Sequence, residues 1–290
     1  MRRPLLFLMT MCLLCGFAAL SKRVVPARQS TSPAPADSRA YLGFDRNSYP
    51  GDAALPTLRK TFFFAGYWLN NPPGETSNSW RGKRESLNSN GFGFLLLFTG
   101  RLYKDLKSVA LAKSIGTRDA ASAVAAAKRE GFPSGAIIFL DQEQGGHMLP
   151  EQRAYLHTWI DGIIAAGFRA GIYCSGIPAT ERGEAGVITA NDIRDGAEGR
   201  SIAFFIYNDS CPPSPGCAAP ANPPSPTQSG VAFAAVWQFA QSPRRPELTS
   251  KCASHYDADG NCYAPLFQRA NAIEVDVSSA TSADPSSARR

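Results

Sequence analysis

The stretch Ala136-Ile137-Ile138-Phe139-Leu140-Asp141-Gln142-Glu143-Gln144-Gly145-Gly146 passes without a break from five apolar residues to two acids one residue apart. An apolar run of this length, ending in small and polar residues, reads as a strand buried on both faces, the kind that parallel sheets use. Side chains two apart on a strand share a face, so Asp141 and Glu143 are expected to point into one pocket where the strand surfaces. Two acids that close resist ionising together. One is expected to keep its proton near neutrality while the other stays anionic, the division of labour that acid-catalysed cleavage of a sugar bond requires.

Seven more short runs of this type surround it. Strands are predicted at Tyr41–Asp45, Phe62–Tyr67, Phe92–Thr99, Ala136–Asp141, Arg169–Cys174, Ile202–Tyr207, Ala234–Phe239 and Ala272–Asp276. Helical patterns separate several of them. Asp119 to Glu130 is alanine-rich, follows Thr117 as a cap and stops at Gly131. Glu151 to Ala166 places Leu156, Trp159, Ile160, Ile163 and Ile164 on one helix face, and Ala190 to Glu198 is a shorter helix. Strands alternating with helices over about 240 residues fit a single-domain (β/α)8 barrel of the TIM type. An open doubly wound sheet would want a glycine-rich phosphate turn after an early strand, and none is present. Cys211 to Ser229 is too rich in turn formers to be an element and reads as an extended loop at the barrel mouth.

The charge of this 290-residue chain is unevenly placed. Its formal net charge is +6, of which residues 1–39 supply +5 and 281–290 supply +1, leaving 40–280 neutral. A neutral body lacks the footprint of a phosphate-binding protein, so no nucleic-acid partner is expected. Arg2 and Arg3 precede the apolar stretch Leu5 to Leu20, which ends in small residues, the layout of an export signal over 1–20. Residues 21–40 read as a Pro, Ser and Ala-rich linker, 41–278 as the barrel, and 279–290 as a disordered tail. The chain is therefore expected to be secreted or held at the cell envelope. Outside the leader, Cys211 with Cys217 and Cys252 with Cys262 form the simplest disulfide pairing. Cys174 is left as a buried small hydrophobe.

In such a barrel the reactive groups stand where strands end at the carboxyl-terminal face. Asp45, Asp141 with Glu143, and Asp276 stand at such ends, with Tyr67, Trp68, Tyr173, Tyr207, Trp237 and Gln238 as candidate substrate-binding residues. Acids and flat rings together suit a sugar: carboxylates serve an oxocarbenium-like transition state, and aromatic faces pack on pyranose rings. Glu143 is the candidate general acid, with Asp141 expected to raise its affinity for a proton, and Asp45 or Asp276 is the candidate base or ion stabiliser. His147, His157 and His255 show no ligand spacing, so no metal is assigned, and no cofactor is called for. Asp257-Ala258-Asp259-Gly260-Asn261 reads as a tight turn, since its glycine comes too early for a calcium loop.

Gly43-Phe44-Asp45, Phe64-Ala65-Gly66-Tyr67-Trp68, Asp141-Gln142-Glu143, Gly171-Ile172-Tyr173, Trp237-Gln238-Phe239 and Val275-Asp276 run in that order over nearly all of 41–278. In that ordered set the chain resembles the glycoside-hydrolase-like family catalogued as domain of unknown function 1906, and more distantly the lysozymes of glycoside hydrolase family 25. The resemblance implies an eight-stranded (β/α) barrel with Glu143 on the position of the family 25 general acid and Asp141, Asp45 and Asp276 on its accompanying acids. Two departures stand out: Arg46-Asn47-Ser48 follows the first motif, and Phe239 stands where those lysozymes commonly carry tyrosine. The expected function is an exported glycoside hydrolase acting on O-glycosidic bonds of a cell-wall or other extracellular polysaccharide, such as a peptidoglycan-type glycan, with no stable protein partner. The alternative is a non-catalytic carbohydrate- or cell-wall-binding protein on the same barrel.

Overall fold

The apolar run that opens the sequence reading forms β4 (Ile137–Asp141), buried along its whole length between two parallel neighbours, β3 (Gly93–Thr99) and β5 (Arg169–Ser175). A computed structural model describes residues 39–181, 184–209, 219–242 and 261–288. Within them the parallel ladder continues from β5 to β8 (Ile202–Tyr207) and β9 (Val236–Ala240), and on the other side from β3 to β2 (Phe64–Trp68) and β1 (Tyr41–Asp45). A last strand, β10 (Asp276–Ala280), pairs with both β1 and β9 and closes the barrel in the order β1-β10-β9-β8-β5-β4-β3-β2. The expected eight-stranded barrel is borne out. Seven of its strands lie within two residues of their expected limits at both ends, and two of these, β1 and β8, match them, because uninterrupted apolar runs have nowhere to sit but a sheet covered on both faces.

The closing strand is the correction. Its expected limits were Ala272–Asp276, with Asp276 at the carboxyl end; in the structure Asp276 begins β10, and β10 runs antiparallel to both neighbours. Pairing falls on the Ser-containing stretch because Ser278 and Ser279 are small enough to be fully buried, Ser278 standing opposite Gly43 of β1. Reversal also rescues the site. The start of an antiparallel strand lies beside the ends of parallel ones, so Asp276 pairs with Asp45 at the same mouth.

The segment beyond is likewise ordered where it is described, which corrects the expectation of a tail over 279–290. Asp284 Oδ1 accepts a hydrogen bond from the Phe94 amide at 2.8 Å, and Ser286 Oγ accepts one from the Leu96 amide at 2.8 Å. Ser286 O accepts from the Ile137 amide at 3.0 Å, so 281–288 forms a strap across the amino-terminal ends of β3 and β4, opposite the mouth.

Two long helices, α4 (Val109–Arg129) and α5 (Pro150–Ala165), pack on one another outside the strands; α1 (Leu55–Leu58), α2 (Arg84–Ser89), α3 (Tyr103–Leu106) and α6 (Thr189–Asp195) are short. The first of the long pair begins eight residues before the expected cap, Thr117. Ser108 caps it by accepting from the Leu111 amide at 3.3 Å, while Thr117 bonds back to the Lys113 carbonyl at 3.1 Å within the helix. A hairpin of β6 (Ala179–Glu181) and β7 (Glu184–Val187) lies outside the barrel and was not foreseen. Pro226–Ser229, expected to be plain loop, makes a short 3-10 turn. The export signal, most of the linker, Cys211, Cys217, Cys252, His255 and the turn Asp257–Gly260 lie outside the described residues. Cys174 is fully buried and free, as expected of a small hydrophobe in β5.

Inside the barrel, alternation fills the lower levels with side chains. The Phe64 ring occupies the space that a Cβ on Gly43 would need, and the Phe139 ring does the same at Gly171. The inward positions one level higher are Asp45, Gly66, Asp141 and Tyr173, so the floor is aromatic and the layer above it is polar.

Candidate active site

A pocket of about 460 Å³ opens at the carboxyl-terminal ends of the parallel strands, and Asp45, Asp141, Glu143 and Asp276 all line it. The four acids that the sequence pointed to are thereby brought together. Their surroundings differ.

Asp45 ends β1 on the inner face and is buried. Gly66, its neighbour on β2, makes the room: a Cβ there would fall 2.4 Å from the Asp45 Cβ. Gln238 Nε2 donates to Asp45 Oδ1 at 3.2 Å and to Oδ2 at 3.1 Å. Burial pushes this carboxyl from 3.8 up to about 7, the Gln238 hydrogen bond working against the rise and the Glu143 charge with it.

Asp141 ends β4, is also buried, and is pushed well above the carboxylate range, first by burial, then by the charge of Glu143 and hydrogen bonding to it, then by Asp45. No N–H or O–H among the described residues donates to its Oδ1. A proton on Asp141 answers both conditions, since it removes a buried charge and supplies the pair with a donor. Glu143, two residues past the strand, is exposed on the pocket wall. Of the pair, the buried member Asp141 has its proton affinity raised.

Asp276 accepts from the Ser242 amide at 2.5 Å through Oδ1 and from Gln238 Nε2 at 3.3 Å through Oδ2. One amide nitrogen thus bridges the acids of β1 and β10. The other end of Gln238 is equally occupied, its Oε1 accepting from Tyr173 Oη at 2.8 Å and from Gln241 Nε2 at 2.5 Å. Gln241 Nε2 also donates to Tyr173 Oη at 3.0 Å. Gln238, expected to bind substrate, therefore spends its hydrogen-bonding groups on holding two carboxylates and a tyrosine in place.

The aromatic expectations divide by strand alternation. Trp68 and Tyr173 point inward and line the pocket, joined by Phe205, which the sequence reading passed over. Tyr67 does not: it points outward, its Oη donates to Glu130 Oε2 at 2.6 Å, and its ring packs against Trp80, Phe94 and Phe132. Trp237 also sits away from the pocket, with Nε1 on the Asn208 carbonyl at 2.9 Å and its ring on Phe239. Tyr207 is buried beside Tyr173, ring centroids 6.5 Å apart, and is not part of the pocket wall. Each of these rings neighbours in sequence, or lies two residues from, a residue that does face the mouth, which a list of strand ends cannot separate.

Arg46, Glu75, Gln241 and Glu274 line the pocket and had not been singled out for the site. All four sit in loops. Arg46 and Gln241 could have been found from their places directly after β1 and β9; Glu75 and Glu274 carry no local signal. Among the described residues no group of three His, Cys, Asp or Glu side chains is arranged to hold a metal ion.

The family described as Rv2525c-like, glycoside hydrolase-like domain matches residues 65–204, a span that includes Asp141 and Glu143 but neither Asp45 nor Asp276. The glycoside hydrolase-like resemblance read from the sequence is thus borne out. Among solved structures, an uncharacterized B. stearothermophilus protein superposes with a TM-score of 0.50 at 17% identity, covering 82% of this chain and 94% of its own, which supports the fold. The Mycobacterium tuberculosis Tat-secreted protein Rv2525c gives 0.45 at 13% identity, covering 83% and 94%. A family 25 glycosyl hydrolase from Bacillus anthracis gives 0.46 at 11% identity, covering 84% and 90%. No curated protein matches.

Proposed function

On the premise of a glycoside hydrolase-like domain, we propose that this chain is an exported enzyme that hydrolyses O-glycosidic bonds in a cell-wall or other extracellular polysaccharide, with Glu143 as the general acid. The observation that carries this reading is the gathering of Asp45, Asp141, Glu143 and Asp276, from three strands and a loop, around one pocket. Glu143 is the acid with open access to a bound sugar, so it is the one to protonate the leaving oxygen. As its carboxylate forms, Asp141 keeps its own proton and donates a hydrogen bond to it, which lowers the cost of the transfer. Asp276, oriented by Ser242 and Gln238, is the acid left to face positive charge developing at the anomeric carbon. Tyr173 and Gln238 act as positioning residues for this wall, and Trp68 offers the ring on which a sugar can pack. Export rests on the N-terminal stretch Arg2 to Leu20.

The test is release of reducing ends from peptidoglycan and chitin by the purified chain and by Glu143→Gln. The substitution is expected to slow release by at least about a hundredfold, the usual contribution of a positioned acid. Equal release by both would overturn the acid assignment. Binding of glycan by both with release by neither would replace the hydrolase reading with that of a carbohydrate-binding protein.

A further inference from the structure

Five acids besides Glu143 contribute to the pocket, and among the described residues only one cation does, Arg46. Its setting is unusual. The ion pairs of the described residues all involve other side chains, and the Arg46 Nε is buried with no hydrogen-bond partner. Burial lowers its proton affinity, with Glu274 acting the other way as a nearby charge, yet an arginine so perturbed still carries its charge at neutral pH. An Nε–H drawn out of water without a hydrogen-bond partner costs free energy, and a free side chain would swing outward to avoid it.

The backbone beneath it is fixed. Trp68 Nε1 and Trp80 Nε1 both donate to the Arg46 carbonyl at 3.2 Å, and Trp80 Nε1 also reaches the Asn47 carbonyl at 3.1 Å. Two indoles, one of them fully buried, therefore anchor the turn that follows the strand of Asp45. The result is a positive group with an open Nε–H valence, held at the wall of a pocket whose other charged groups are acids.

We propose that Arg46 recognises a carboxylate on the sugar chain, so that the glycan this pocket takes is an acidic one. A carboxylate matches the planar fork of the guanidinium and needs only one negative charge compensated. A doubly charged phosphate would meet stronger repulsion from the surrounding acids. A neutral hydroxyl could fill the open N–H valence but would form only a neutral-acceptor hydrogen bond, weaker than the charge-assisted fork to a carboxylate. Such a carboxylate is borne either on the ring of a uronic acid or on a carboxyalkyl ether of a sugar. The inference rests on the glycan reading above and adds the substrate class.

Binding is the readout, taken in the Glu143→Gln chain so that turnover plays no part. The probes are an oligo-uronate and an oligosaccharide carrying carboxyalkyl ethers, each beside its carboxyl-reduced counterpart, titrated by calorimetry. At least one acidic probe is expected to bind about tenfold more tightly than its reduced form, and which one does so identifies the source of the carboxylate. Arg46→Gln is expected to erase that preference, and Arg46→Lys to keep part of it. No preference for either acidic probe in the Arg46-containing chain overturns the proposal without any substitution at that position, as does a preference that survives Arg46→Gln intact. Absence of sugar release by the unsubstituted chain would count against the hydrolase reading alone, since the carboxylate preference does not depend on turnover.

Discussion

Asp45 takes up a proton when the chain folds, because its carboxyl passes from 3.8 to about 7 on burial at the barrel mouth. Between those values the folded chain binds more protons than the unfolded one, so stability is greatest at the acid end and declines as pH rises through the window. Asp141, raised by burial and by Glu143, adds to the decline in the same direction. Asp161, which Arg200 holds below the usual range, is already ionised across the window and does not mask the effect. Asp45→Asn is expected to flatten the slope and to stabilise the chain at pH 8 by about 2–4 kcal/mol, an order-of-magnitude figure from the size of the shift. Urea midpoints of both chains at pH 4.5, 6 and 8 measure it; parallel slopes would mean that the carboxyl is not desolvated as its burial implies. Asp45, Asp141 and Glu143 were legible in the sequence, since each ends or closely follows a run that must be a strand, whereas Asp276 was picked as the end of Ala272–Asp276 and begins β10 instead. The raised proton affinity of Asp141 was not, because it depends on that carboxyl being sealed inside the barrel by strands distant in the chain.

Strand β4 and strand β10 mark the two extremes of what an element's sequence discloses. Five apolar residues followed by acids admit one reading, and β4 forms as expected. Asp276-Val277-Ser278-Ser279-Ala280 has the composition of a loop, and only its neighbours make it a strand: β1 and β9 present two open edges, and it pairs with both. The same tertiary dependence holds for the strap that follows it. Asp284 and Ser286 supply acceptors to the amides of Phe94 and Leu96, donors of β3 that would otherwise be left without a partner inside the protein. Asp284→Ala and Ser286→Ala are each expected to cost about 1–2 kcal/mol, seen as a fall of a few degrees in thermal midpoint. Glycan binding at 25 °C should be unchanged, because the strap lies at the end of the barrel remote from the pocket. Unaltered melting in both variants would show the strap to be a passive passenger.

Closure joins parts of the chain more than two hundred positions apart, residues 41–45 with 276–280, and the acids of β1, β4 and β10 face one another only once it is complete. Site and fold are thus one cooperative object over the described barrel, and an injury at the seam should be felt everywhere in it. Phe44 is the place to injure. It is fully buried on β1, with its ring centroid 5.1 Å from that of Phe62 and 6.0 Å from that of Phe92, on the opposite face of the strand from Asp45. Phe44→Ala removes a large side chain without touching the pocket wall, at an expected cost of about 3–5 kcal/mol. The four tryptophans report on different regions: Trp68 and Trp80 beside the mouth, Trp159 on α5 and Trp237 on β9. If closure governs the whole, tryptophan fluorescence and far-UV circular dichroism of Phe44→Ala will shift together to a lower urea midpoint, with glycan binding lost at that same midpoint. A fluorescence transition that separates from the dichroism would mean that the mouth can come apart while the remaining strands and the α4–α5 pair stay folded, and that the acids are assembled locally and not by closing the ring.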